Sequence, residues 1–359
     1  MNLYIEKTNK FYELFDPKTG FYFRSGVMSD GKDTGVDPFQ REFPNLIDIG
    51  IMERCVCANQ CKVDCYQRAI DRKGQNMSVE NYRKIMEECR GKVFQVALGG
   101  AGDPDTHENI EEILKISREN QVVPNFTTSG IAFDERKAEL CKEYCGAIAV
   151  SDHFADYTDR TLDMLIDKGI KTNIHYVLSK NSIDTAIDRL KNGGFHKGIN
   201  AVVFLLYKPV GLGKTSNVLH YDDPKVKEFF ELIDTNAFDF SIGFDSCTSP
   251  AIVNLTRNIN ENSIDYCEGA RFSMYIDAQM NAMPCSFANQ DSRWFVSLND
   301  HTIQEAWNSD VFESFRNCLK NSCAGCKDRL SCGGGCPLCL DVVLCNREEK
   351  HKIINFASI

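Results

Sequence analysis

The 359-residue sequence predicts an α/β fold, a partial (β/α)6 barrel followed by a C-terminal cysteine-rich domain. Three observations lead there. From Leu46 to about residue 215, apolar runs of strand length alternate with segments of helical period. The alternation stops at a Pro/Gly-rich stretch, Lys208-Pro209-Val210-Gly211-Leu212-Gly213. Finally, 17 cysteines fall mainly into two dense groups, four between residues 55 and 65 and nine between residues 267 and 345. The expected division is an N-terminal segment (1–44), the barrel (45–215), a bridging region (216–255) and the cysteine-rich domain (256–359).

Residues 1–44 show no clear period, and 25–40, rich in Gly, Asp and Ser, read as loop. Apolar runs suited to buried parallel strands follow at 46–52, 93–98, 122–128, 147–151, 172–178 and 201–207. Helical periods lie between them at 79–89, 109–118, 134–145, 158–167 and 183–192. Strand–helix alternation implies a parallel sheet with right-handed crossovers. Periodicity alone leaves an incomplete barrel and an open doubly wound sheet both possible. Residues 222–235 read as a helix, and 271–284 as a hairpin flanked by Cys267 and Cys285.

Composition narrows the function. A net charge of −10 offers no broad footprint for a phosphate backbone, so nucleic-acid binding is not expected. The longest apolar run, 201–207, falls far short of the roughly 20 residues of a membrane span. The N-terminal residues carry scattered charges and no apolar core of a secretory signal, so a cytoplasmic, reducing location is expected. There, clustered cysteines read as metal ligands or catalytic groups rather than disulfides. Cys89, Cys141, Cys145 and Cys318 lie on predicted helices and read as core or surface thiols, while Cys55 is unassigned.

Cys57, Cys61 and Cys65 sit on one loop after the first barrel strand, followed by Tyr66. Three thiolates can each take one iron of a cubane cluster; four are the usual complement, so a set of three leaves one iron open. The second strand runs into Gly99-Gly100-Ala101-Gly102-Asp103-Pro104, where glycines admit close backbone approach and a carboxylate suits an ammonium. In the C-terminal group, Cys323, Cys326, Cys332 and Cys336 follow a C-x2-C-x5-C-x3-C spacing.

These motifs resemble the radical S-adenosylmethionine (SAM) superfamily and, at the C-terminus, its SPASM auxiliary-cluster subfamily. The loop reads C-x3-C-x3-C where the superfamily usually reads C-x3-C-x2-C. The resemblance implies a SAM-binding [4Fe–4S] cluster on Cys57, Cys61 and Cys65. It further implies SAM contacts from Tyr66, Gly99, Gly100, Gly102, Asp103, Thr128, Ser151 and His175. Two auxiliary [4Fe–4S] clusters are implied, making three in all: one on Cys267, Cys285 and Cys336 with Cys247 as a possible fourth ligand, the other on Cys323, Cys326 and Cys332 with Cys345 or Cys339. Met280 stands where the SPASM pattern has Gly. Cys247 is alternatively a free thiol that returns a hydrogen atom to substrate, and Asp245 is a possible general base.

The implied activity is generation of a 5′-deoxyadenosyl radical that abstracts hydrogen from a ribosomally made peptide or protein side chain. A flavodoxin- or ferredoxin-type electron donor and a separate peptide-recognition protein are the implied partners. Oxidation or epimerisation of a small molecule such as a sugar or aminocyclitol is the alternative within enzymes. A zinc-stabilised binding protein without catalysis is the alternative from another class.

Overall fold

The computed structural model describes residues 1–61, 63–260 and 263–346; the tail of the expected C-terminal domain lies outside the described residues. Three strands open the chain, β1 (Asn2–Glu6), β2 (Phe11–Phe15) and β3 (Tyr22–Arg24), paired antiparallel in the order β1-β2-β3. This corrects the reading of residues 1–44 as lacking periodic structure. On β1 the alternation is inverted: Leu3 and Ile5 point outward at 60% and 62% exposure while Glu6 is buried, and on β2 Glu13 is buried between Phe11 and Phe15. Inside, Glu13 meets Arg41 at 2.8 Å with both side chains fully buried. Tyr22 Oη donates to Glu13 at 2.8 Å and Asn45 Nδ2 donates to it at 2.7 Å. A short hairpin follows, β4 (Met28–Ser29) and β5 (Lys32–Asp33).

The main sheet is built from β6 (Leu46–Met52), β7 (Gln95–Gly100), β8 (Val123–Thr128), β9 (Ile148–Ser151), β10 (Thr172–Leu178), β11 (Ala201–Leu206) and β12 (Ser241–Phe244). Neighbours run parallel in sequence order. The helices that return the chain are α1 (Val79–Cys89), α2 (Ile110–Glu119), α3 (Glu135–Tyr144), α4 (Asp156–Asp167), α5 (Ile183–Asn192) and α6 (Pro224–Thr235). All six strands and five helices read in this part of the sequence are present, with ends shifted by at most two residues. Strand β12 was not read; four residues with a central Gly243 carry too little apolar signal.

Each strand turns one face to the helices and the other to a lumen. On β6, Ile47, Ile49 and Ile51 are fully buried in the core, leaving Leu46, Asp48 and Gly50 on the inner face. On β10, Ile174 and Tyr176 pack outward, leaving Asn173 and His175 inside. Thr127 Oγ1 of β8 reaches His175 Nδ1 of β10 at 3.2 Å, across β9, whose inward residues there are Ala149 and Ser151. A concave sheet brings such side chains together, as a partial barrel does.

The C-terminal region joins the same sheet. Strand β13 (Ser273–Ile276) pairs parallel with β6, and β14 (Asn281–Met283) and β15 (Val296–Ser297) continue antiparallel. β13 and β14 form the hairpin expected between Cys267 and Cys285. At its turn Met280 adopts φ 66°, the left-handed conformation that a glycine takes without strain. Helices α7 (Ser249–Leu255), α8 (Ile303–Trp307), α9 (Asp310–Asn321) and α10 (Arg329–Cys332) complete the region. Among the described residues no helix is long and apolar enough to cross a membrane.

Candidate active site and cysteine centres

The first cysteine loop lies at the C-terminal end of β6, the end at which parallel α/β barrels carry their functional loops. Backbone turns fold it: Gln60 N–H and Cys61 N–H donate to the Cys57 carbonyl at 2.9 and 3.0 Å. Burial, then Asp103 and Cys55, push the Cys57 thiol up to about 12. Burial also raises Cys55, with Asp103, Cys61 and Cys65 adding to it, and raises Cys61, with Cys65 and Asp103 adding. The four thiols and one carboxylate therefore share one electrostatic neighbourhood. A bound cation would reverse these shifts, because thiolate ligation releases the proton.

The strand ends around this loop hold most of the residues expected to contact SAM. Gly99 and Gly100 close β7, and Gly102 lies in the turn before Asp103. Gly100 has φ 114°, and a Cβ there would strike the Met52 carbonyl at the end of β6. Asp103 accepts from Ser129 N–H at 3.0 Å and also from Ser129 Oγ. Burial and the neighbouring Asp105 raise its carboxyl to about 6. Ser151 ends β9 beside His175 in register, and burial lowers the His175 imidazole to about 4, so the ring is neutral.

Two expected contacts are placed elsewhere. Thr128 is almost fully buried and its hydroxyl accepts from Gly130 N–H at 3.0 Å; strand alternation gives the lumen to Thr127 instead. Tyr66 packs against Phe287 with ring centroids 4.8 Å apart, facing the C-terminal region. Sequence reasoning also missed Asp48 on the inner face of β6. Burial, and then the charge of Glu268, raise its carboxyl to about 7. A charged residue at the centre of an apolar strand was the available signal.

The remaining cysteines form two further groups. In one, Cys247 is hydrogen-bonded to Cys336, and that bond together with burial holds the Cys247 thiol well above its ordinary value. Cys285 is pushed up to about 12 by burial, then Cys267 and Cys247. Cys267 is likewise raised to about 12 by burial and Cys247. Cys339 belongs here too, lowered by its hydrogen bond from Cys336. In the other, burial raises Cys332 to about 11, with Cys326, Cys323 and Cys345 adding to it. Cys345, not Cys339, thus accompanies Cys323, Cys326 and Cys332. Asp245 accepts from Lys208 Nζ at 2.9 Å and from Thr248 Oγ1 at 2.6 Å.

Each group gathers several thiols into one electrostatic neighbourhood. Among the described residues no three His, Cys, Asp or Glu side chains converge tightly enough to hold a single metal ion. Cys89 and Cys141 are buried core thiols on α1 and α3.

One segment braces two of the sites. Leu212 N–H donates to the Cys65 carbonyl at 3.1 Å, and Gly211, at φ 68°, lies so close that a Cβ would collide with the Tyr66 carbonyl. Lys208, three residues earlier, sits at the Cys247–Cys336 group.

Residues 267–327 match the family SPASM, described as an iron–sulfur cluster-binding domain. Over most of its length the chain shares its fold with solved structures of two proteins, SuiB and anSMEcpe. Among solved structures, SuiB of Streptococcus suis bound to S-adenosylmethionine is 18% identical, with a TM-score of 0.64 over 83% of this chain and 74% of that one. SuiB bound to its precursor peptide SuiA is similar at 18% identity and TM-score 0.63, covering 87% of this chain and 80% of that one. anSMEcpe with bound AdoMet is similar at 17% identity and TM-score 0.62, covering 86% and 93%. No curated protein matches the chain in sequence. The SPASM match contains Cys267, Cys285, Cys323 and Cys326, and Cys332, Cys336 and Cys345 lie beyond it.

Proposed function

We propose that this chain is a radical SAM enzyme that modifies a ribosomally made peptide or protein side chain by a net two-electron oxidation, such as a cross-link. The observation that carries the reading is the division of thiols into three groups, one at the mouth of the barrel and two in the SPASM region. Similar folds are solved with a precursor peptide, in SuiB, and with the Cp18Cys peptide, in anSMEcpe. Those ligands support a peptide substrate over a small molecule.

In this reading Cys57, Cys61 and Cys65 hold the cluster that binds SAM, and Asp103 is placed for the methionine ammonium. Cys247, Cys267, Cys285 and Cys336 hold one auxiliary cluster; Cys323, Cys326, Cys332 and Cys345 hold the other. When bound, these groups supply reductive cleavage of SAM to methionine and a 5′-deoxyadenosyl radical, and a path for electrons. The chain supplies the rest. The helices cover the outer face of the sheet, the neutral His175 offers a hydrogen bond without charge on its inner face, and Asp245, two residues before Cys247, serves as a proton acceptor. With Cys247 used as a ligand, it is not the thiol that returns hydrogen to substrate.

The test is anaerobic reconstitution with iron and sulfide, followed by SAM, dithionite and the peptide encoded beside the gene. Expected are 5′-deoxyadenosine, loss of two hydrogens from the peptide, and neither product from Cys61→Ala. Protein that binds zinc but no iron, or that releases no 5′-deoxyadenosine, overturns the reading. Release of 5′-deoxyadenosine with unchanged peptide mass removes the oxidation and leaves epimerisation.

A further inference from the structure

Among the described residues β12 forms one edge of the ten-stranded sheet, with β11 as its single partner. Ser241 N–H and Asp245 N–H donate to the Asn200 and Phe204 carbonyls on the β11 side at 3.0 and 3.1 Å. Alternate residues of a strand turn their backbone groups to opposite edges, so those of Ile242 and Phe244 point away from β11. Among the described residues nothing pairs with either of them. A bare strand edge is a template for another chain. A groove of about 630 Å3 lies against this one, with Ile242, Gly243 and Phe244 in its lining. The rest of its apolar lining includes Phe238 and Phe240, stacked with centroids 5.8 Å apart, Ile252 of α7, and Ile259 and Ile264 of the following loop. An extended peptide fits both features, giving its backbone to the edge and its side chains to the walls.

Charge narrows the occupant. Asp245, Asp265 and Glu268 line the groove and no lysine or arginine does. From outside the lining, Lys208 donates to Asp245, and Arg24 donates to Asp265 and Glu268, so three carboxylates meet two cations. The excess favours a neutral or basic segment over an acidic one. It also disfavours a second copy of this chain, because a two-fold contact would set identical carboxylates against each other. Position adds a third argument. The strands from β6 to β12 run parallel, so the Asp245 end of β12 opens at the same end of the barrel as the first cysteine loop.

We propose that the open edge of β12 and its groove hold an extended, apolar, non-acidic segment of the peptide substrate as an added strand, leading the adjoining residues to the barrel mouth. The proposal deepens the peptide reading of the preceding subsection and rests on it. The four residues of β12 span about 13 Å, so the paired segment is about four residues long.

The experiment uses the full-length reconstituted protein and a probe peptide, acetyl-Lys-Val-Thr-Val-Thr-Val-Lys-amide. Binding is followed by calorimetry, and amide hydrogen exchange is read residue by residue. Expected is slowed exchange at Ile242 and Phe244, with Ser241 and Gly243, already paired to β11, unchanged. Methylating the valine nitrogens or the threonine nitrogens of the probe is expected to abolish binding in one case and spare it in the other, since a strand pairs along one edge. Glutamate in place of both probe lysines weakens binding. Ile264→Glu, which charges an apolar wall, weakens it about tenfold or more. If that variant does not fold, the peptide series on wild type decides alone. No binding, binding without protection of Ile242 and Phe244, or equal tolerance of both methylated probes overturns the proposal. So does protection of the two amides in the free protein, which assigns the edge to a second copy when it grows with protein concentration. Wild type that binds the probe in this way but releases no 5′-deoxyadenosine with SAM and dithionite overturns the functional reading instead. Release of 5′-deoxyadenosine without binding at this edge overturns the docking site alone.

Discussion

Asp48 offers a test of the barrel interior that needs no substrate. Its carboxyl sits on the inner face of β6, between Ala97 of β7 and Tyr275 of β13 in register. Burial first, and Glu268 second, raise it from 3.8 to about 7. Folding therefore favours the protonated acid. The associated stability is fully present below the unfolded value near 4 and is lost as pH rises through 7. At ~1.4 kcal/mol for each tenfold change in proton affinity, the loss is on the order of 4 kcal/mol at most, and water in the lumen reduces it. Asp48→Asn keeps the shape and removes the ionisation. Urea unfolding at matched iron content is expected to find the Asn variant more stable by no more than about 2 kcal/mol at pH 5 and by several kcal/mol at pH 8. A difference that does not change with pH, or an Asn variant less stable at pH 8, refutes the placement of Asp48 in a dry interior.

Two further outcomes concern stability. Arg41→Met leaves Glu13 buried without its cation and is expected to cost about 3–5 kcal/mol in urea unfolding, with Glu13→Gln in the same chain recovering much of the loss. Met280→Gly relieves the left-handed strain of about 1 kcal/mol but removes a side chain only 4% exposed, worth about 2–5 kcal/mol. A net fall in melting temperature is therefore expected, and a rise would show that strain outweighs packing at this turn.

The elements legible in the sequence were the long ones with one fully buried face. β6 and β10 match their apolar runs residue for residue, because their alternate apolar residues pack beneath the helices. The N-terminal sheet was hidden because β1 turns Leu3 and Ile5 outward and because Glu13, paired with Arg41, interrupts the buried face of β2 between Phe11 and Phe15. At the site, cysteine spacing groups the thiols, but spacing does not say which way a strand faces, so the burial of Thr128 and the inward turn of Thr127 appear only in the fold. The burial of Lys208 was not legible either, since its neighbours Asp245 and Phe287 lie 37 or more residues away in sequence and meet it only in the fold.

The pairing of β13 with β6 has a consequence for any attempt to move the cysteine-rich half between proteins. Its first strand completes the hydrogen bonding of the strand that precedes the first cysteine loop, and the Tyr275 hydroxyl occupies the space a side chain at position 50 would need. Cutting the chain near residue 256 strips one piece of a hydrogen-bonded neighbour and leaves the other without a surface to fold upon. A chimera must therefore transplant the receiving strand, with a glycine opposite that tyrosine, along with the thiols.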